Sequence, residues 1–126
     1  MTAATRILLL AHGSSDRRWC ETFEALAAPT LRSLPEARVA YMELATPSLE
    51  DEVGKAAAEG ITHVQVVPLF LAAGRHLRKD VPAMLDDYRQ RHGINITLLP
   101  PIGEDPRLGD ALKEIVQSSL EQSHDG

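Results

Sequence analysis

The feature that most constrains the fold of this chain is a regular alternation between short apolar runs and segments with helical periodicity. A short apolar run bounded by turn residues is typical of a strand that is buried on both faces. Four such runs are present, at 7–11, 38–44, 64–67 and 94–99. The resulting order, βαβαβαβα, predicts a parallel sheet with helices on both faces and right-handed crossovers.

Each run is followed by a helix start signal. The predicted starts are Ser14 or Ser15 as a cap with Asp16 in the first turn, Thr46-Pro47, residues 74–76, and Asp105-Pro106. In the last helix we expect an inward-facing stripe made of Leu108, Leu112, Ile115, Val116 and Leu120. We expect residues 120–126 to form a frayed tail. The prediction is an α/β fold, a three-layer sandwich whose four-stranded parallel sheet is flanked by helices, in a single domain over residues 1–126.

Composition and charge exclude several classes of function. The net charge of −5 is a poor match to phosphate-backbone binding, so we expect no nucleic-acid partner. The apolar run at 7–11 is too short for a signal sequence or a membrane span, so we expect no membrane association. Cys20 is the only cysteine and has no internal partner, which favours a reducing compartment, and we predict a cytoplasmic protein. No phosphate-binding glycine loop is present, so no ATP, dinucleotide or other organic cofactor is expected.

Three potential metal ligands follow three consecutive strands. His12 comes after the first strand, Glu43 ends the second, and His76 follows the third, at separations of 31 and 33 residues. Ligands of open parallel sheets bind outside the carboxyl ends of the strands, so these side chains should share one edge. Two imidazoles and a carboxylate suit a borderline divalent transition metal, and the lack of thiolates argues against structural zinc.

Each of these residues also has a purely structural interpretation. His12 could be satisfied by backbone groups, Glu43 could cap a helix or pair with an arginine, and His76 could be solvated in a first helical turn. A positive charge at that place would oppose the helix dipole, which favours a neutral, metal-binding imidazole at His76. Ser14 or Ser15 could indicate a hydrolase, but the sequence has no G-x-S-x-G elbow and capping explains both serines.

A cluster of cations surrounds His76. Arg75, Arg78 and Lys79 could simply form a solvated helix face, but at the rim of a site they would attract an anionic substrate and pair with its carboxylates. Arg17 follows the first strand and lies on the same edge. We include it, together with Ser14, among the candidate substrate-binding residues.

Four segments of the sequence resemble a known enzyme family. They are LLLAHGS, YMELATPSLEDE, VVPLFLAAGRHLRKDVP and LPPIGEDP, and the chain is similar over residues 6–116 to small CbiX-type class II chelatases. These are sirohydrochlorin cobaltochelatases of cobalamin synthesis, related to the ferrochelatases of sirohaem synthesis. The resemblance implies a flavodoxin-like chelatase half-domain.

The resemblance also implies an activity and a set of site residues. A divalent metal, Co²⁺ before Fe²⁺ or Ni²⁺, would be inserted without ATP into a sirohydrochlorin-type tetrapyrrole rich in carboxylates. The family's metal-site and catalytic histidines fall on His12 and His76, and its glutamate falls on Glu43, as ligand or base. Larger members hold two such halves in one chain, so a chain of this length implies a homodimer with a shared active-site cleft. The sequence leaves the physiological metal and the oxidation level of the tetrapyrrole open, and a non-catalytic metal or tetrapyrrole carrier is the alternative hypothesis.

Overall fold

The computed structural model of the protein describes residues 4–125, apart from the side chains of His76 and residues 123–125. The strands are β1 (Thr5–Ala11), β2 (Ala37–Tyr41), β3 (His63–Pro68) and β4 (Asn95–Leu98). The helices are α1 (Arg17–Ser33), α2 (Leu49–Ala58), α3 (Val81–His92) and α4 (Pro106–Asp125), with a π-helical turn (His76–Asp80) and a 3₁₀ turn (Ile102–Glu104). None of these helices is both long and apolar enough to cross a membrane.

The four strands form one parallel sheet in the order β2-β1-β3-β4. This confirms the predicted α/β fold with a parallel sheet flanked by helices. Central strand β1 alternates between the two faces because successive side chains of a strand point in opposite directions. Leu8 and Leu10 pack in the larger core with α2 and α3, whereas Leu9 and Ala11 pack in the smaller core with α1.

Helix α3 begins at Val81, after the π-helical turn, rather than at residues 74–76. Two further helices also begin later than the sequence predicts. The N-cap of α1 is Asp16, whose carboxylate accepts a hydrogen bond from the Arg18 backbone N–H at 2.9 Å, while the Ser14 hydroxyl oxygen accepts one from the Asp16 N–H. The N-cap of α2 is Ser48, which accepts from the Asp51 N–H at 3.0 Å. In both places several good capping residues stand in a row, and the turn that leaves the preceding strand decides which of them caps the helix.

The predicted inward stripe of α4 is wrong. Four of its members are largely exposed, namely Leu112 (55%), Ile115 (64%), Val116 (55%) and Leu120 (58%). Helical periodicity identifies an apolar face but does not say what covers it. The helix also runs to Asp125, through most of the segment for which the sequence predicts a frayed tail.

A buried cation at the start of β1 gives the fold a pH dependence. Arg6 is 6% exposed and its guanidinium donates a hydrogen bond to the Glu59 carboxylate at 2.9 Å, which lowers the pKa of Glu59 below its ordinary value. A lowered folded-state pKa stabilises the protein above the unfolded pKa, about 4.3, and this contribution is lost as the pH falls through the folded value. We therefore expect Glu59→Gln to lower the urea midpoint at pH 7 and to approach wild type below about pH 4. Glu121→Gln, at an exposed position of α4, should leave the urea midpoint unchanged at both pH values. An unchanged midpoint for Glu59→Gln at pH 7 would contradict the pairing of Arg6 with Glu59.

Candidate functional site

His12 stands directly after β1, at the carboxyl edge of the sheet. Its side chain is exposed, and its ring stacks on Phe70 with a centroid distance of 4.1 Å and an interplanar angle of 12°. Phe70 is buried in the larger core and follows β3. The imidazole is therefore held against a fixed apolar wall while its side chain stays exposed.

The backbone holds Glu43 beside His12. Backbone pairing between the first two strands continues past their ends, because Met42 N–H donates to Ala11 O at 2.9 Å and Glu43 N–H donates to His12 O at 3.1 Å. Gly13 allows this close approach, since a Cβ at its position would lie 1.8 Å from the Glu43 carbonyl oxygen. The φ angle of Gly13 is +96°, in the region that favours glycine.

A cavity of about 230 Å³ opens at this edge, lined by His12, Met42, Glu43, Asp80 and Met84. The structure thus brings together His12 and Glu43 as the sequence predicts. Sequence reasoning missed Asp80 as a member of the site. Its signal was available, because Asp80 ends the turn that follows β3 and so belongs to the same sheet edge.

The third predicted ligand is only partly described. His76 is the first residue of the π-helical turn whose last residue, Asp80, lines the cavity, but the side chain of His76 lies outside the described residues. Within the described part of the chain, no group of three His, Cys, Asp or Glu side chains is arranged to hold a metal ion. The three-residue centre formed by His12, Glu43 and His76 therefore stays a prediction. π-Helical turns are frequent at functional sites.

The predicted cations lie at or near the same edge. Arg75, Arg78 and Lys79 are all exposed, and the Arg78 backbone N–H donates to Gly74 O at 3.2 Å, which closes the turn around His76. Arg17 is exposed at the start of α1 and its guanidinium lies 3.6 Å from Glu21. A surface ion pair of this kind contributes little and leaves the cation available to an incoming anion.

Tyr41, at the end of β2, is unsuited to acid–base work in this region. It is buried, and its burial, with the Glu24 carboxylate and Cys20 nearby, raises the pKa of its phenol to about 12. The phenol therefore stays protonated at neutral pH. Cys20 is buried and free, and its thiol donates to Ser14 O at 3.4 Å, which indicates a packing role.

Phe70 holds the His12 ring in place through this stacked contact. Replacing Phe70 by leucine keeps apolar volume but removes the stacking face. Because such a stacked contact is worth about 0.5–1.5 kcal/mol, we expect the affinity of the His12 ring for a divalent metal ion, measured by titration with Co²⁺, to fall by up to about tenfold. Phe23→Leu, in the smaller core, is the matched control for lost packing. Equal losses of metal affinity in the Phe70→Leu and Phe23→Leu variants would show that Phe70 acts through stability alone.

Comparisons with known proteins identify the family. The family model described as CbiX matches residues 6–119, which is most of the chain. The chain belongs to the CbiX family. It is 32% identical over 117 residues to a sirohydrochlorin cobaltochelatase of Sulfurisphaera tokodaii, covering 93% of this chain and 95% of that one. It is also 32% identical over 114 residues to the sirohydrochlorin cobaltochelatase of Sulfolobus acidocaldarius, covering 90% and 91%.

Solved structures of CbiX-related proteins have the same fold. A cobalamin biosynthesis CbiX protein from Marinobacter aquaeolei is 57% identical and superposes with a TM-score of 0.92 over 95% of this chain and 98% of that one. The sirohydrochlorin chelatase SirB of Bacillus subtilis subspecies spizizenii, solved in complex with cobalt, is 25% identical with a TM-score of 0.81. The superposition covers 91% of this CbiX-family chain but only 50% of SirB.

Proposed function

We propose that this CbiX-family protein is a class II chelatase that inserts a divalent metal ion, most readily Co²⁺, into sirohydrochlorin without ATP. The observation that carries the proposal is the shared cavity of His12 and Glu43 at the carboxyl edge of the sheet. The relatives named as sirohydrochlorin cobaltochelatases, 32% identical over nine-tenths of the chain, support the substrate and the metal. Its free, buried cysteine supports a place for the reaction in a reducing compartment, the cytoplasm.

Metal insertion demands two tasks of the protein. The ion must be held while it loses water, and two pyrrole N–H protons must be removed as it enters the ring. Neutral imidazole performs both, as a ligand and as a base near neutral pH. We assign His12 and His76 to these tasks, with Glu43 as a further ligand or proton acceptor. Asp80, on the same cavity, adds a carboxylate that attracts the cation to this edge.

The shared cleft of a homodimer is part of the proposal. A cavity of about 230 Å³ is smaller than the 300–1,000 Å³ of common small-molecule sites and covers only one edge of a tetrapyrrole. SirB is about twice as long as this chain, which matches half of it. Two copies of this chain with their cavities facing each other would supply the second wall.

The exposed cations of the π-helical turn are proposed to receive the substrate's carboxylates. We expect Arg78→Gln to raise the KM for sirohydrochlorin by about 5- to 30-fold, because a charge-assisted hydrogen bond of roughly 1–2 kcal/mol is lost, while kcat changes little. Arg32→Gln, in the last turn of α1 at the opposite edge, is the matched control. A fall in kcat at unchanged KM would contradict a role in substrate binding.

The proposed activity is tested by the absorbance change of sirohydrochlorin with Co²⁺, Fe²⁺ or Ni²⁺ in the absence of ATP. We expect insertion well above the spontaneous rate, and competition among the three ions ranks the physiological metals. Tight binding of metal or tetrapyrrole with no acceleration of insertion would indicate a carrier rather than an enzyme. The hydrolase hypothesis predicts instead an activity that needs no metal and is lost when Ser14 or Ser15 is replaced by alanine.

A further inference from the structure

Helix α4 carries an apolar ridge that no other described part of the chain covers. Leu112, Ile115, Val116 and Leu120 fall at spacings of three and four residues, so they share one face, and each is more than half exposed. Every described side chain from 109 to 122 is exposed. A stable helix with such a face normally buries it against another element.

A second uncovered apolar surface lies on the α1 side of the sheet. Helix α1 lies on this face, while α2 and α3 cover the other. Two grooves of about 440 and 410 Å³ adjoin here, one beside Val67, Leu99 and Ile102 and the other beside Trp19, Leu26 and Leu69. We call these six residues the apolar strip. Leu26 is 74% exposed, and the strip crosses the sheet near its carboxyl edge.

The junction before α4 packs closely against the segment that follows β3. Gly103, in the 3₁₀ turn, lies so close to the chain that a Cβ there would be 1.6 Å from Leu71 O, and its N–H donates to Phe70 O at 3.0 Å. The Asp105 carboxylate accepts from the Arg107 backbone N–H at 2.9 Å and pairs with the Arg107 guanidinium at 2.6 Å. Since α4 begins at Pro106, no flexible linker is present. A reversal of the chain before Pro106 would disturb the contacts that hold Gly103 against Phe70 and Leu71.

The surface area of the chain indicates a partner of substantial size. Its accessible surface is 8314 Å², whereas a compact monomer of 13.8 kDa exposes about 6,600 Å². The excess, about 1,700 Å² per chain, exceeds the ~800 Å² that each partner buries in a standard interface and suits an obligate dimer.

We propose that α4 of one copy packs its ridge along the apolar strip of a second copy, and that the second copy returns its own α4. Reciprocal exchange covers ridge and strip on both chains at once. Pairing of two α4 helices would leave both strips bare. This inference rests on the proposed homodimer and names the surface that forms it, next to the edge that holds His12.

The ridge is tested by sedimentation velocity of Ile115→Asp and its matched control Gln117→Asp. Because a carboxylate on the ridge would have to be buried unpaired, we expect Ile115→Asp to weaken dimerisation by about 100-fold or more, while the control remains a dimer of twice 13.8 kDa. Ile115→Asp that dimerises like wild type would overturn the proposal. A monomeric wild-type chain would overturn it together with the shared cleft.

The exchange itself is tested by cross-linking in a Cys20→Ser background. Val67→Cys and Ile115→Cys chains are prepared separately, refolded together and treated with a short bismaleimide. Exchange predicts a covalent heterodimer that contains one chain of each kind. Linkage only between two Ile115→Cys chains, or only within a chain that carries both cysteines, would overturn it. The cobalt insertion assay on the same proteins tells a failed exchange from a failed chelatase, because insertion by a dimer without exchange leaves the proposed function intact.

Discussion

Replacing His12 by alanine is expected to reduce cobalt insertion into sirohydrochlorin by at least about 100-fold, close to the spontaneous rate. The imidazole is assigned, together with that of His76, to hold the metal and to take the pyrrole protons, and loss of a positioned base alone costs roughly 10²–10⁴ in rate. The ring is exposed and rests on Phe70 through one face, so its removal leaves the core intact. The urea midpoint should therefore stay close to that of wild type.

His63→Ala is the matched control for His12→Ala. His63 begins β3 at the opposite edge of the sheet, and its Nε2 lies 3.2 Å from the Thr97 hydroxyl. Insertion should proceed at nearly the wild-type rate in this variant. If His12→Ala keeps wild-type turnover, or if both variants lose it equally, His12 does not have the assigned role.

Replacing Gly13 by alanine is expected to cause a large loss of stability. The new Cβ would lie 1.8 Å from the Glu43 carbonyl oxygen, which is backbone and can move only if the pairing of His12 with Glu43 opens. The φ of +96° adds conformational strain. We expect a loss of about 3 kcal/mol or more in the free energy of unfolding, and loss of insertion activity in the protein that still folds.

Gly60→Ala is the control that distinguishes backbone strain at a positive φ from a steric clash of the new Cβ. Its φ is +85°, but nothing lies within 4 Å of the position that its Cβ would take. Strain alone should cost about 1 kcal/mol and leave insertion unchanged. Equal losses of stability for Gly13→Ala and Gly60→Ala in urea unfolding would contradict the close approach of the two strand ends.

The parallel α/β fold was predictable because each βα unit carries its own local signals. Buried apolar runs mark the strands, and Gly93, which is αL with φ of +60°, ends α3 as glycines commonly end helices. The meeting of His12 and Glu43 followed from the same reasoning, since carboxyl ends of neighbouring parallel strands share an edge. Local sequence signals and the topology of a parallel sheet were therefore sufficient to predict both the fold and the proximity of His12 and Glu43.

The features that the sequence did not predict depend on contacts between distant segments. Stacking of His12 on Phe70 joins residues 58 positions apart, and no local pattern reports it. Asp80, by contrast, was missed although its place after β3 was readable, and it ends a π-helical turn where the sequence predicts a regular helix start. The exposure of Ile115 has a similar cause, because an apolar stripe looks the same whether its own chain or another copy covers it.

The central claim is that the metal ion binds at the carboxyl ends of the first three strands. Crystals soaked in Co²⁺ without tetrapyrrole and measured at the cobalt absorption edge test it most directly. We predict an anomalous peak within coordination distance, about 2.0–2.2 Å, of an imidazole nitrogen of His12 or His76, at the cavity that Glu43 lines. A peak at His63 or His92 with none at this cavity would contradict the account.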